Sequence, residues 1–144
     1  MIAGQFFDGS GLGDMLFRYI TSRCLALDKG FDHGMYGLKK FKGASFMQLP
    51  PTIDMDMLEG LSLKKWDERD IRVNGVDTRS FDPESQFVED NTIVDGCFED
   101  SKYWMHHLDE IREWLKVEPL EMPEDLCIIG SMSPVQVRRR LVER

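Results

Sequence analysis

The chain has little of what membrane, secreted or nucleic-acid-binding proteins require. It contains no apolar run approaching the roughly 20 residues that a membrane-spanning helix needs. Residues 1–14 include no basic segment followed by an apolar one, so no signal peptide is expected. The net charge is −8, which argues against nucleic acid as a partner because phosphate binding requires a basic surface. We therefore expect a soluble, cytoplasmic protein.

Cysteine and histidine are also scarce, and neither is regularly spaced. The chain has three of each: Cys24, Cys97, Cys127, His33, His106 and His107. No C-x-x-C pair occurs, so neither a disulfide framework nor a zinc site is expected, and no metal is expected at all. The cysteines lie in apolar surroundings and are interpreted as small core residues.

What the sequence does contain is a globular composition, with 42% apolar and 31% charged residues in 144. Residues 2–7 form an apolar run that ends at Asp8-Gly9-Ser10-Gly11. From residue 14 to residue 28 the apolar positions recur at helical spacing, and Gly30 follows as a helix end. A buried strand, a glycine turn and a helix open doubly wound folds. The predicted fold class is α/β, a Rossmann-like three-layer domain with a short parallel sheet.

The remaining segments divide the chain. Residues 31–35 are a weak strand candidate, and residues 34–90 are predicted to be an irregular insert region, interpreted as an acceptor-facing loop, with a short helix at 62–70. Further elements are predicted at 92–94 (strand), 104–115 (helix) and 126–129 (strand). The predicted organisation is one domain over residues 1–130 and a divergent basic tail over 131–144. The arginines of that tail are either a solvated helix end or a site for an anionic partner.

The glycine turn carries the first chemical signal. Glycines after a strand let a helix N-terminus present unpaired N–H groups to a phosphate or a sugar hydroxyl. A dinucleotide-binding fingerprint would require G-x-G-x-x-G, whereas Gly9, Gly11 and Gly13 are spaced G-x-G-x-G. A nucleotide-binding oxidoreductase is therefore the weakest of the hypotheses that we keep.

Two blocks together resemble a known family. Residues 11–19 (GLGDMLFRY) resemble the G-G-L-G-N-Q-L-F-Q-Y block of the α-1,2-fucosyltransferase-like family, and residues 95–103 (DGCFEDSKY) are similar to its G-Y-F-Q-S-E-K-Y block. The resemblance implies the N-terminal half of a GT-B glycosyltransferase that moves fucose from GDP-fucose to a glycan acceptor without a metal. It implies no cofactor beyond that donor substrate. The partners would be a nucleotide sugar and a glycan.

The chain departs from this family after the last predicted strand. The family has an H-x-R-x-G-D motif there, whose arginine grips the donor diphosphate, whereas this chain has Gly-Ser-Met-Ser-Pro at 130–134. We therefore expect a truncated transferase that is weakly active or inactive alone, with no catalytic residue assigned. The alternative is a catalytically inert carbohydrate- or partner-binding module. The missing half also predicts self-association through an exposed, apolar half-cleft.

Six residues are the substrate-binding candidates: Asp8, Gly11, Gly13, Asp14, Arg18 and His33. Asp14 is either a substrate contact or the helix N-cap. Arg18 is either a cleft residue or a surface partner of Asp14. His33 is expected near the upper edge of the sheet, beside the glycine turn. His106 and His107 are interpreted as packed helix residues in preference to acid–base groups.

Overall fold

A computed structural model describes residues 1–69, 72–73, 76–77 and 80–117. The predicted strand at 126–129, the basic tail at 131–144 and the glycine-serine segment at 130–134 lie outside the described residues. No helix of the described part is long and apolar enough to cross a membrane.

The fold is α/β and is built on a five-stranded, all-parallel sheet in the order β3-β2-β1-β7-β4. The strands are β1 (Ile2–Gln5), β2 (His33–Tyr36), β3 (Ile53–Asp54), β4 (Lys64–Asp67) and β7 (Thr92–Asp95), and β5 (Arg72–Val73) pairs with β6 (Val76–Asp77) as a separate antiparallel ribbon. β2 and then β3 lie on one side of β1, and β7 and then β4 lie on the other side.

Helix α1 (Leu12–Lys29) returns the chain from β1 to β2. It ends as predicted, because Gly30 adopts a left-handed conformation (φ 71°) and its N–H reaches the carbonyls of Ala26 and Leu27. Its buried face supplies Met15 and Tyr19 to the core. The periodic apolar pattern thus gives one long amphipathic helix against the central strand.

Helix α2 (Leu108–Trp114) packs on the same side of the sheet as α1. Ile111 and Trp114 join the core cluster that contains Tyr19, and the Arg23 guanidinium lies over the Trp114 ring at 4.7 Å. On the opposite face, Met55 in the 3₁₀ turn Met55–Met57 covers Gly34 of β2, whose added Cβ would lie 2.5 Å from the methionine sulfur. Among the described ranges, both α-helices therefore form one layer.

Two predictions about the middle of the chain were wrong. The segment 34–90, expected to be irregular, supplies β3 and β4, two strands of the main sheet. The helix expected at 62–70 is instead the edge strand β4, in which Trp66 packs on the core and Lys65 and Asp67 are exposed. Edge strands commonly carry charged residues. The four residues of β4 therefore lack the alternation of apolar and polar residues by which a strand is recognised in a sequence. The helix predicted at 104–115 is shorter, because 3₁₀ turns occupy Ser101–Tyr103 and Met105–His107.

Candidate functional site

The candidate site lies at the carboxyl ends of β1 and β7. Ligands of open parallel sheets bind in crevices outside the carboxyl ends of the strands. Here β1 and β7 are neighbours near the centre of the sheet, and their carboxyl ends lie side by side at that edge. The two sequence blocks that resemble the fucosyltransferase-like family both begin there, one after β1 and one at the end of β7.

The glycine turn leaves the N-terminus of α1 without a side-chain cap. Gly9 has a positive φ of 81°, which favours glycine. Gly11 is the N-cap of α1, in extended conformation and with no side-chain cap bond. At Gly13 an added Cβ would meet no atom within 4 Å. Neither backbone conformation nor packing within the described chain requires glycine at 13, so the surface above the first turn of α1 is left bare.

Arg18 joins the two blocks. Its Nη1 donates to Oδ1 of Asp95, a part-buried ion pair between residues 77 positions apart. The guanidinium also lies over the Phe7 ring, 4.8 Å from its centroid. A guanidinium held by a carboxylate and an aromatic face has few free orientations. Arg18 therefore fixes the start of α1 against the end of β7.

The turn after β7 is strained and is held by Glu68, at the end of β4. Phe98 has a φ of 53°, unusual for a bulky residue, although its side chain is fully buried. One oxygen of Glu68 accepts the N–H groups of Cys97 (3.1 Å) and Phe98 (3.2 Å). Gly96 is required because an added Cβ would lie 2.5 Å from Glu68 Cβ. A strained backbone persists only where the surrounding contacts hold it in place, and such positions often lie at functional sites.

Charged groups from β4 complete this edge. Lys65 Nζ lies 3.6 Å from Asp67 and 3.9 Å from Asp95. On the β2 side, Lys40 Nζ lies 3.3 Å from Asp8. Arg18, Lys40 and Lys65 are thus each close to a carboxylate. Carboxylate oxygens are hydrogen-bond acceptors only, so this edge suits a ligand rich in hydroxyl groups better than a second anion.

Next to the turn, the loop after β2 forms an open cavity of about 320 Å³. Its lining is drawn from residues 38–49. Phe41 stacks on Phe6 with ring centroids 5.4 Å apart, and Gly43 is close to Leu12 in the first turn of α1. The loop is thereby packed beside the glycine turn, on the same edge of the sheet as the candidate site.

The predicted site residues fall into two groups. Asp8, Gly11, Gly13, Asp14 and Arg18 all lie at the carboxyl edge, in the turn after β1 or the first turns of α1. Asp14 is exposed in the first helical turn, and the N-cap is Gly11, so the N-cap interpretation of Asp14 was wrong. Arg18 is paired across the crevice to Asp95 and not confined to the helix surface.

His33 was misplaced by the sequence analysis. It opens β2 and is opposite Ile2 in register, so it lies at the amino edge of the sheet, away from the glycine turn. Its Nε2 is 2.8 Å from Ser22 Oγ and its Nδ1 is 2.9 Å from Thr52 Oγ1. Burial, with a smaller contribution from the charge of Arg23, lowers the pKa of His33 to about 3. It is a neutral residue that links α1 to the segment before β3.

Sequence reasoning did not single out Asp95, Lys65 or Glu68. Asp95 ends β7 inside the second block. A polar residue that follows an apolar strand marks the edge where ligands bind, and this signal was available for Asp95. Lys65 and Glu68 had no signal, because β4 was interpreted as a helix. Their contribution depends on the pairing of β4 with β7.

A second polar cluster forms at the other end of α1. Asp28 lies between His106 and His107, which are 78 and 79 residues away. Burial opposes the charged form of His107, but the carboxylate of Asp28, and then that of Glu110, raise its pKa above the ordinary value. These three side chains are the group of possible metal ligands within the described residues. No ligand set was expected from the sequence, because the carboxylate is remote from the histidines along the chain.

No protein-family model, curated protein or solved structure matches this chain. The fold and the site therefore carry the functional argument.

Proposed function

We propose that this chain is a glycosyltransferase-type domain of the α-1,2-fucosyltransferase kind, corresponding to the acceptor-side, Rossmann-like half of a GT-B enzyme. The observation that carries the proposal is the ion pair between Arg18 and Asp95. It joins the two resembling blocks at the carboxyl edge of the sheet, the edge at which α/β folds bind ligands. The reaction would be transfer of fucose from GDP-fucose to a glycan, weak or absent in this chain alone.

The charge of the site favours an acceptor sugar over a diphosphate. Arg18 and Lys65 are both close to Asp95, so neither is a free clamp for a leaving phosphate. Carboxylates and the open N-terminus of α1 can instead bind hydroxyl groups, as acceptors and donors respectively. The cavity of the 38–49 loop lies beside them. These features suit the binding of a glycan acceptor.

Replacing Gly13 with alanine is expected to separate binding from folding. Alanine has the higher helix propensity, and the new methyl group meets no protein atom, so stability should stay equal or rise by up to about 1 kcal/mol. A ligand resting on the first turn of α1 would meet that methyl group. We expect its affinity to fall at least about tenfold, which corresponds to 1.4 kcal/mol.

The measurement is titration calorimetry with GDP-fucose, GDP, NAD and a panel of mono- and disaccharides. Ser62→Ala is the control, because Ser62 is exposed in the loop before β4, and sugar binding should be unchanged. Sugar binding accompanied by binding of GDP-fucose and GDP, which we expect to be weak because Arg18 and Lys65 are already close to Asp95, would support the transferase. Binding of NAD alone, or of no ligand, would contradict the proposal, as would equal affinities for the Gly13→Ala protein and the unsubstituted chain.

The second candidate is an inert carbohydrate- or partner-binding module. It is favoured by the same observation that argues against a diphosphate clamp, the neutralisation of Arg18 by Asp95. Saturable binding of a sugar with no heat from GDP or GDP-fucose would select this function.

Self-association through exposed apolar side chains remains a prediction. Within the described residues the large exposed apolar side chains include Met57, Leu58 and Leu61, near β3, whereas the carboxyl edge is charged. If these side chains are the contact, Met57→Lys should shift the sedimentation profile toward monomer. A monomeric species for the unsubstituted chain at high protein concentration would contradict self-association.

A further inference from the structure

The cluster at the end of α1 has the composition of a transition-metal site. Asp28 Oδ2 is 2.8 Å from His106 Nε2, and Asp28 Oδ1 is 2.6 Å from His107 Nε2. The ligand atoms of all three residues lie within 4.8 Å of one another. We propose that Asp28, His106 and His107 bind a divalent transition-metal ion of the zinc type. This site is at the opposite end of α1 from the proposed glycan site and is independent of it.

The distances fit an ion after a small adjustment. Zinc binds imidazole nitrogen and carboxylate oxygen at about 2.0–2.2 Å, so tetrahedral ligand atoms are roughly 3.3 Å apart. The separation from the carboxylate would have to increase by about 0.5 Å for His106 Nε2 and by about 0.7 Å for His107 Nε2 to reach that spacing. Asp28 and His106 can move because their side chains are 37% and 49% exposed. His107 is 17% exposed and is the fixed member of the set.

Glu110 supplies the outer partner that metal-binding histidines require. His107 Nδ1 is a buried atom with no hydrogen-bond partner, and it lies 3.5 Å from Glu110 Oε1 in the first turn of α2. When Nε2 binds a metal, the ring proton resides on Nδ1, where a carboxylate accepts it and orients the ring. A small rotation of Glu110 would complete this carboxylate–histidine–metal arrangement.

The site also has an open coordination position. Three protein ligands leave room for a fourth on a tetrahedral ion, and a cavity of about 320 Å³ is lined by Asp28 and His106 together with Lys29 and Lys102. The two lysines make this cavity suitable for a water molecule or a small anion such as phosphate. The ligand class is thus a zinc-type ion carrying water or a small oxyanion.

Calorimetric titration of the full chain with zinc chloride tests the proposal. We expect one ion per chain, reversed by a chelator, with affinity at least about tenfold lower in Asp28→Asn and in His106→Gln, and 10- to 100-fold lower in Glu110→Gln. Glu113→Gln, an exposed carboxylate of the same helix, should bind zinc as the unsubstituted chain does. Circular dichroism establishes that each variant is folded.

Nitrogen NMR of the histidine rings gives the second readout. Zinc should shift the Nε2 signals of His106 and His107 and leave those of His33 unchanged. The proposal is overturned if zinc produces no saturable heat, if Asp28→Asn and His106→Gln bind as tightly as the unsubstituted chain, or if the ring signals of His106 and His107 do not move. Binding that persists in those variants would mean that other side chains hold the ion.

Discussion

Replacing Phe6 with alanine is expected to lower the free energy of unfolding by about 4 kcal/mol, the middle of the range for removing a buried phenylalanine. Phe6 is fully buried and stacks on Phe41. It directly follows β1, and its N–H extends the ladder to the Tyr36 carbonyl at 3.0 Å. The cavity left by alanine would open between the central strand, α1 and the loop after β2, whose residues share one core cluster with Phe6.

Equilibrium unfolding in urea measures this loss, and Phe87→Ala is the matched control. Phe87 is 77% exposed, so its removal should change the free energy of unfolding by no more than about 0.5 kcal/mol. A loss below about 1 kcal/mol in Phe6→Ala would mean that the loop at 38–49 does not pack on β1 as described. Because that loop also lies beside the glycine turn, Phe6→Ala should weaken any sugar binding as well.

The parts of the fold that could be predicted are those in which local pattern and tertiary environment agree. Residues 2–7 and α1 are apolar on the faces that the core buries, so strand, turn and helix were predictable within a few residues. β3 has two residues, and β4 buries only Trp66 on one face. Such strands are specified by hydrogen bonding to β2 and β7 and leave little trace in the sequence.

The candidate site shows the same division. Asp8 and Arg18 were predictable because their positions follow from the end of one strand and the start of one helix. The pairing of Arg18 with Asp95 spans 77 residues, and the approach of Asp28 to His107 spans 79. Both depend on which strands are neighbours, which no local pattern encodes. The predicted second strand began at Phe31, two residues before β2 begins. His33 was therefore expected farther along the strand, toward its carboxyl end, than it lies.

His33 should make the protein sensitive to mild acid. Burial lowers its pKa from 6.5 to about 3, so below pH 6.5 the unfolded chain takes up a proton that the folded chain refuses. Stability therefore falls as the pH decreases from about 6.5 toward 3, and linkage gives a loss of about 2 kcal/mol between pH 7 and pH 5. The ring faces Tyr19 edge-on at 5.5 Å, and Arg23 and Asp32 line the adjacent cavity.

The test compares urea unfolding at pH 7 and pH 5 for the unsubstituted chain and for His33→Gln, which cannot titrate but offers an amide to Ser22 or Thr52. The pairing of Asp28 with His107 acts in the opposite direction, since a raised histidine pKa favours the folded state in acid. That contribution is common to both proteins and cancels in their difference. The difference between the two proteins should change by about 2 kcal/mol between the two pH values. If it does not change, His33 takes up a proton in the folded state, and the contacts from Ser22 and Thr52 do not hold the ring neutral.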